Sequence, residues 1–366
     1  MAAPKIVQIR SGATKQVDGY GFLKEPDFDD KEHADYVKRY LPILVNRRKK
    51  WDALLQKQQL PLSKNDLTKR YIRKGIPQVY RRLVWMDVSG AQRLKESHRG
   101  RYKALLASSL SKEVVHAIKV DLSRTFTHNV YFGSSPDGLR LPLFNVLGAF
   151  ASAHPDVGYC QGLNYVAGLL LLVTRCEEDT FWLLEALREN ILPSRYYAAD
   201  LFGVLVDMEV LGYLIGNKVP RVHAHFKKQG IAWNLLVTRW HVCLYADVLP
   251  VETVLRIWDC LFYEGSKVLF RVGIALVKLG EEKILGSNDL FAITESMKET
   301  CTGPAVLDCH AFIRRSLEIA DPLSGKTIAS LRGRVGEDVE KFRGLRGRRC
   351  GGFTDLYLGN PLDPRS

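Results

Sequence analysis

The sequence of 366 residues predicts an all-α fold, with many helices arranged as one extended bundle or as two helical lobes. Apolar residues recur at helical spacing in one segment after another, and sustained strand-like alternation is not convincing anywhere. The most apolar stretch, residues 163–173, has Asn164 as its single conventional polar side chain. Because a bilayer span needs about 20 residues, this shorter stretch is predicted to be a helix buried in a large core.

The first 70 residues are predicted to be an N-terminal lead that includes an amphipathic helical region. Residues 1–30 are of mixed composition and contain glycine, so we expect a poorly ordered or loosely docked start. From 35 to 59, aromatic and aliphatic residues such as Tyr40 and Trp51 lie at helical spacing. Pro42 interrupts this pattern and predicts a kink or a break.

The main domain is predicted to span residues 71–280, followed by helices at 281–320 that pack on it. Near its start, Gly75 and Pro77 predict a turn that is followed by a helix, because proline is favoured in the first turn of a helix. Further helices are expected at 112–126, 163–173, 180–190, 200–217, 220–230, 250–265, 268–279 and 289–298.

Residues 321–366 differ in character, because glycine and arginine recur and the apolar periodicity fades. Between Arg332 and Arg349 there are seven basic and three acidic residues. We therefore predict a flexible basic tail.

The net charge of +13 is concentrated in one region. Between Lys38 and Lys103 there are 19 Lys and Arg residues against four acids, a surplus of 15 positive charges. Such a region can attract acidic partners, anionic membrane or nucleic acid, although solvated helix faces explain it equally well. No RNA-binding or zinc-finger pattern accompanies the charge, so nucleic acid is the least favoured partner.

The seven cysteines show no paired or regular spacing, so the sequence predicts neither a disulfide framework nor a metal site. The N-terminus lacks the features of a secretory signal, and we therefore expect a cytoplasmic protein.

The first candidate constellation is Asp121 and Arg124, on a predicted helix that also carries Ile118. Residues three apart are neighbours on one helix face, so Asp121 can hold the Arg124 guanidinium through a bidentate hydrogen bond. An arginine fixed in this way suits a phosphate, because its charge is permanent and its donors are planar. An ordinary surface ion pair of little energetic value is the alternative.

The second candidate is the tetrad Tyr159-Cys160-Gln161-Gly162. A glutamine amide both donates and accepts hydrogen bonds, so Gln161 can orient a water molecule beside a phosphate oxygen. Gly162 gives the backbone room for a close approach. By itself, this pattern also fits a helix-start glutamine that satisfies nearby backbone groups.

Taken together, these motifs resemble the signature motifs of TBC domains, which are GTPase-activating proteins for Rab-type small GTPases. The resemblance covers residues 73–279 and is carried by these positions, in the family's order and approximate spacing: Arg73, Gly75, Pro77, Arg81, Trp85, Ile118, Asp121, Arg124, Tyr159, Gln161, Gly162, Trp258 and Asp259.

The resemblance implies that Arg124 is an arginine finger inserted in trans and that Gln161 is a glutamine finger that positions the hydrolytic water. Ile118, Asp121, Tyr159 and Gly162 would support or orient these two, whereas Gly75, Pro77, Arg81 and Trp85 would have structural roles. The implied partner is a GTP-loaded Rab protein in vesicle trafficking, and we expect the protein in the cytoplasm, where peripheral contact with endomembranes is open to it. The chain would need no cofactor of its own, because the GTPase carries the GTP and Mg²⁺.

Besides a basic binder of nucleic acid or membrane surfaces, which rests on charge alone, two other functions remain as alternatives. A non-catalytic adaptor that binds a loaded Rab protein would need the same surface without the chemistry. A nucleotide hydrolase is disfavoured, because the phosphate-loop-like run at 324–327 has Ala320 where the first glycine is required.

Overall fold

The computed structural model describes residues 17–23, 30–58, 60–133, 138–319 and 322–346. In these ranges the chain forms helices, and strand-like pairing is limited to the isolated bridges Val17–Leu23 and Phe22–Asn129. The predicted all-α class is confirmed. Among the helices of these residues, none has the length and apolar character that a membrane crossing requires.

The helices alternate with short turns along the whole described chain. The first nine are α1 (Asp30–Lys57), α2 (Asp66–Lys74), α3 (Gln78–Val88), α4 (Ala91–Ser97), α5 (Arg101–Leu106), α6 (Lys112–Arg124), α7 (Arg140–Ala153), α8 (Leu163–Thr174) and α9 (Glu177–Ala186). The others are α10 (Phe202–Lys218), α11 (Pro220–Gln229), α12 (Trp233–Val242), α13 (Val251–Glu264), α14 (Lys267–Leu279), α15 (Glu281–Leu285), α16 (Leu290–Thr302), α17 (Pro304–Leu307), α18 (Cys309–Ile319) and α19 (Gly325–Arg346). A 3₁₀ turn at Val130–Phe132 and a π-helical turn at Leu187–Ile191 complete the list.

The helices pack in two groups, which correspond to the two predicted lobes. Helices α3 to α9 pack mainly on one another, and so do helices α10 to α19. Helix α13 joins the groups, because it contacts α2 and α3 as well as α14 and α18. The fully buried Trp85 and Trp258, with ring centroids 6.2 Å apart, lie at this junction.

Helix α8 is the buried helix that its composition predicts. Only Tyr165 and Val173 among its residues are partly exposed. It packs between α7 and α9, so its N-terminal end, which follows Gly162, is held by the core of the first group.

Helix α1 runs without interruption through Pro42, so the structure contains one helix where the sequence allowed a break. An interior proline costs a helix about 3 kcal/mol, and contacts on both sides of Pro42 offset that cost. Tyr40 stacks on His310 with the ring centroids 4.4 Å apart. The buried Trp51 donates a hydrogen bond from Nε1 to the Gly75 carbonyl oxygen at 3.0 Å.

Residues 17–23, called the N-terminal segment below, dock on the turn that follows α6. The Leu23 amide donates to the His128 carbonyl at 2.8 Å, and the Val130 amide donates to the Gly21 carbonyl at 2.9 Å. The Asn129 side chain donates to the Tyr20 carbonyl at 3.0 Å. This part of the predicted loose lead is therefore fastened to the domain, while residues 1–16 and 24–29 lie outside the described residues.

Helix α19 contradicts the prediction of a flexible tail for residues 325–346. Its Arg332 forms a two-oxygen ion pair with Asp207 of α10, with nitrogen–oxygen distances of 2.6 and 2.7 Å, and Asp207 is fully buried. Leu331 and Val335 are also buried. The helix is held by these tertiary contacts rather than by its own composition, and residues 347–366 of the predicted tail lie outside the described part of the chain.

Candidate functional site

The exposed guanidinium of Arg124 lies at the end of α6. The helix begins at Lys112, after Ser111, whose hydroxyl oxygen accepts a hydrogen bond from the Val114 amide at 3.3 Å. Ile118 is fully buried and anchors the helix in the core. Asp121 is 3% exposed, whereas half of the Arg124 side chain is open to solvent. The helix therefore presents one cation at its end and keeps the partner carboxylate inside.

The Asp121 carboxylate holds Arg124 through a single oxygen. Arg124 Nε and Nη2 lie 2.8 and 2.5 Å from Asp121 Oδ1. The other oxygen, Oδ2, accepts a hydrogen bond from the Tyr159 hydroxyl at 2.6 Å. The arrangement therefore differs from the predicted bidentate fork, because tyrosine occupies the second oxygen and links Asp121 to the Gln161 tetrad.

Tyr159 is a permanent donor in this arrangement. Burial raises the pKa of Tyr159 far above its usual value, and the hydrogen bond to Asp121 raises the pKa further. The hydroxyl thus keeps its proton at every physiological pH, and Asp121 keeps an acceptor oxygen for Arg124.

A second chain of hydrogen bonds joins the two candidate segments. The Thr125 hydroxyl donates to the Asp121 carbonyl oxygen at 2.6 Å and accepts from the Asn164 amide at 2.8 Å. The side-chain oxygen of Asn164 accepts from the Gly162 amide at 3.0 Å. The turn after Arg124 and the residue after Gln161 are therefore connected through buried polar atoms.

Sequence reasoning missed the roles of Thr125 and Asn164. The signal for Asn164 was present, since it is the one polar side chain in an apolar helix and a buried amide requires partners. Thr125 gave no comparable signal.

Gln161 is the exposed member of its tetrad. Cys160 and Gly162 on either side are buried, and within the described residues the Gln161 side chain has no hydrogen-bond partner. Burial raises the pKa of the Cys160 thiol to about 12, with Asp121 adding to the effect, so this cysteine stays protonated beside the site. The amide of Gln161 is thus available for a partner or a water molecule.

Gly162 is required at its position for two reasons. Its φ is +107°, which L side chains rarely adopt, and a Cβ atom would lie 2.5 Å from Cγ1 of Val242. Glycine thus allows the tetrad to approach α12 closely.

The four residues with expected structural roles lie elsewhere, around the buried carboxylate of Asp259. Trp85 Nε1 donates to Asp259 Oδ1 at 2.9 Å, and Arg81 Nε donates to the same oxygen at 3.3 Å. The amide of Ile76, between Gly75 and Pro77, donates to Oδ2 at 3.1 Å.

The positions of Gly75 and Pro77 in the motif at residues 75–85 are also explained by the structure. Gly75 has a φ of +114°, and a Cβ atom there would lie 2.9 Å from the Arg256 guanidinium. Pro77 immediately precedes α3. This motif joins α3 to α13 at the junction of the two helix groups and does not contribute side chains to the exposed surface around Arg124.

The chemistry available at the surface is charge stabilisation and hydrogen bonding. Arg124 supplies a fixed cation, and Gln161 supplies an amide that donates and accepts. The described residues contain no group of three or more His, Cys, Asp or Glu side chains that could hold a metal ion.

Comparisons with known proteins agree with this fold. Residues 78–285 match the family model of the Rab-GTPase-TBC domain. Growth hormone-regulated TBC protein 1-A of Danio rerio is 44% identical over 317 residues, which are 86% of this chain and 88% of the relative. Growth hormone-regulated TBC protein 1 of Homo sapiens is 44% identical over 318 residues, with 87% and 94% covered.

Two solved structures extend the likeness to three dimensions. The crystal structure of the Chlamydomonas flagellar RabGAP TBC domain has a TM-score of 0.69 at 33% identity, covering 83% of this chain and 99% of that one. The Ypt/Rab-GAP domain of Gyp1p shares the fold, with a TM-score of 0.65 at 21% identity over 76% of this chain and 98% of its own. The family match covers more than half of the sequence, and the chain belongs to the Rab-GTPase-TBC domain family.

Proposed function

We propose that this protein accelerates GTP hydrolysis by GTP-loaded Rab-family GTPases and that it does so by inserting Arg124 and Gln161 into the nucleotide site of the partner. Family membership supports a Rab partner and a GTPase-activating role. The observation that carries the mechanism is the pairing of a half-exposed arginine, fixed by a buried carboxylate, with an exposed glutamine on a segment hydrogen-bonded to the same turn.

Phosphoryl transfer depends on positioning and on charge stabilisation more than on covalent help from protein groups. Arg124 would stabilise the charge that develops on the β- and γ-phosphate oxygens, and Gln161 would orient the attacking water. The nucleotide and Mg²⁺ belong to the GTPase, so this chain needs no cofactor of its own and has no hydrolase activity alone.

The buried contacts of Asp121 explain why the arginine would be effective. A free arginine side chain loses rotamer entropy of about 2 kcal/mol when it is fixed. Because Asp121, itself held by Tyr159, already binds two of the Arg124 nitrogens, a large part of this entropy is lost before the GTPase binds. The same contacts leave Nη1 without an acceptor among the described residues, and that atom remains for a phosphate oxygen.

The test is single-turnover phosphate release from a panel of GTP-loaded Rab proteins. An arginine finger is worth about 10³ to 10⁵ in rate, or roughly 4 to 7 kcal/mol. Arg124→Ala is therefore expected to lose at least about 10³-fold of the acceleration, and Gln161→Ala should also remove most of it. Arg221→Ala, at a largely exposed arginine of α11, is the matched control and should retain full activity.

The adaptor alternative makes the opposite prediction for the same panel. It would be favoured if the intact chain bound a loaded Rab protein while the GTP lifetime of every panel member stayed unchanged. The catalytic proposal would also be rejected if Arg124→Ala and Gln161→Ala, with unchanged melting temperatures, both accelerated hydrolysis like the intact chain.

We further propose that the protein is cytoplasmic and contacts anionic endomembranes peripherally. Helix α1 supports this, because it exposes Leu44 and Val45 one turn, and Leu41 two turns, before Arg48 and Lys49, which are also exposed. Apolar side chains can enter the headgroup region, and each nearby basic residue adds about 1 kcal/mol on an anionic surface.

Cosedimentation with vesicles tests the membrane proposal. Vesicles containing phosphatidylserine should bind the chain at 0.1 M salt, and the Arg48→Glu, Lys49→Glu double variant should bind at least about tenfold more weakly. Lys298→Glu, at an exposed lysine of α16, is the matched control. Equal binding of all three proteins, or equal binding to uncharged vesicles, would refute the proposal.

A further inference from the structure

We propose that Arg239 is a second docking arginine, which pairs with a carboxylate on the surface of the GTPase and contributes to affinity rather than to the chemical step. This inference rests on the proposed function for the identity of the partner. Arg239 lies in α12, and its side chain is 66% exposed. Nothing in the Arg124 mechanism uses it.

Arg239 is presented in the same manner as Arg124. Its Nε donates to Asp247 Oδ2 at 2.6 Å, and Nη2 contacts the same oxygen. The Asp247 side chain is 3% exposed, close to the 4% of Asp121. In both pairs a buried carboxylate orients an exposed guanidinium through a single oxygen, so the rotamer entropy is lost before a partner binds.

One tyrosine ring lies between the two arginines. The Tyr165 hydroxyl donates to the Arg124 carbonyl oxygen at 3.4 Å, and the Arg239 guanidinium carbon lies 6.0 Å from the centroid of the Tyr165 ring. A standard interface buries about 800 Å² on each partner, which corresponds to a patch about 16 Å in radius. A GTPase interface that includes Arg124 is thus large enough to reach Arg239 across Tyr165.

The surroundings of Arg239 suit a protein surface. Leu235, one helical turn earlier on the same face of α12, is 58% exposed, and Tyr165 is partly exposed beside it. Arginine and tyrosine are enriched where binding energy concentrates in protein–protein interfaces, and an adjacent apolar side chain helps to exclude water. An acidic side chain of the partner can then pair with the outer edge of the guanidinium.

Arg239 also lacks the link that joins Arg124 to Gln161. Thr125, Asn164 and Tyr159 connect the Arg124 turn to the glutamine tetrad, whereas the hydrogen bonds of Arg239 in the described structure go to Asp247. We therefore expect Arg239 to bind the ground state and the transition state equally. Such an interaction changes KM and leaves kcat unaltered.

The experiment combines steady-state hydrolysis with equilibrium binding, using the Rab panel. The binding probe is each Rab protein loaded with a non-hydrolysable GTP analogue. Arg239→Ala should raise KM and the dissociation constant about tenfold and keep kcat within about twofold. Because the contact is between charges, the ratio to the intact chain should shrink as salt is raised.

Two further variants distinguish a loss of docking from a loss of folding. Arg239→Lys keeps a positive charge but not the planar fork, and it should give an intermediate KM at an unchanged melting temperature. Arg221→Ala, whose side chain is 74% exposed on α11, is the matched control and should leave KM and kcat unchanged.

The outcomes separate this inference from the proposed function. If the intact chain accelerates a Rab protein and Arg239→Ala changes neither KM nor binding, or lowers kcat alone, the docking role is wrong and the activity stands. If the intact chain binds a Rab protein without accelerating it and Arg239→Ala weakens that binding, docking stands and the catalytic proposal fails. If no panel member binds or responds, both are overturned.

Discussion

Arg124 and Asp121 are three residues apart on a helix, a spacing at which most exposed ion pairs contribute less than about 1 kcal/mol. What distinguishes this pair is Tyr159, which fixes the carboxylate from the side opposite the arginine. The sequence could indicate the pair and the tetrad separately. It could not show that they share one carboxylate, because Tyr159 and Asp121 are 38 residues apart in the chain.

His241 is a buried histidine whose titration should affect stability. It is fully buried in α12, and burial, assisted by Arg332, lowers its pKa to about 3. Tyr196 approaches Nδ1 at 3.5 Å, and Nε2 has no partner among the described residues. In the unfolded chain a histidine titrates near 6.5, so below that pH the unfolded state binds a proton that the folded state does not.

We therefore predict that proton uptake by His241 in the unfolded chain does not reduce stability well above pH 6.5. Below that pH, it lowers the free energy of unfolding progressively as the pH falls toward 3. Between pH 7 and pH 5, one such histidine lowers the free energy of unfolding by about 2 kcal/mol. Urea unfolding at both pH values should show that His241→Gln has a smaller pH dependence by about this amount. His116→Gln, at an exposed histidine, should keep the full dependence, and equal slopes for the two variants would contradict the prediction.

At the level of elements, the N-terminal segment has a role that its composition does not reveal. Its backbone bonds to His128 and Val130, and the ring of Phe22 meets Phe126 edge-on with centroids 5.2 Å apart. Phe126 is two residues after Arg124, so this segment braces the turn that carries the candidate arginine finger.

Removal of the N-terminal segment should therefore impair activity, and it also removes the buried Tyr20 hydroxyl, which accepts a hydrogen bond from Arg81 at 2.6 Å. Deletion of residues 1–29 leaves α1 in place but frees the turn after Arg124, and misplacement of a catalytic group by about 1 Å can cost about 10²-fold in rate. We expect kcat on a responsive Rab protein to fall about 10- to 100-fold. Deletion of residues 1–16 should leave kcat unchanged, and equal activity of the two deletions would show that the segment does not position the finger.

Helix α19 shows where element prediction from local sequence fails. Residues 325–346 are rich in glycine and arginine and have weak apolar periodicity, which is typical of a flexible tail. The ion pair between Arg332 and Asp207 joins residues 125 positions apart, and no local pattern can reveal it. By contrast, α8 was predictable because its burial follows from composition alone.

For the whole molecule, the sequence left one extended bundle and two lobes open, but the all-α class follows from the helical periodicity that each segment displays by itself. The junction of the groups does not, because it depends on one buried carboxylate. Asp259 accepts hydrogen bonds from Ile76, Arg81 and Trp85 in the first part of the chain and from Arg256 on its own helix. The motif identified the residues, and only the fold shows their common partner.

The hydrogen bonds to Asp259 also determine when the surrounding core can form during synthesis of the chain. Ile76 and Asp259 are 183 residues apart, and a ribosome adds about 5 to 20 residues per second. About 10 to 40 seconds therefore pass between the synthesis of Arg81 and that of Glu252 and Asp259, the two carboxylates of α13 that pair with it. Until α13 emerges, the first group of helices cannot bury that arginine without a large penalty. The first group of helices can therefore complete its packing only after α13, which belongs to the second group, has been synthesised.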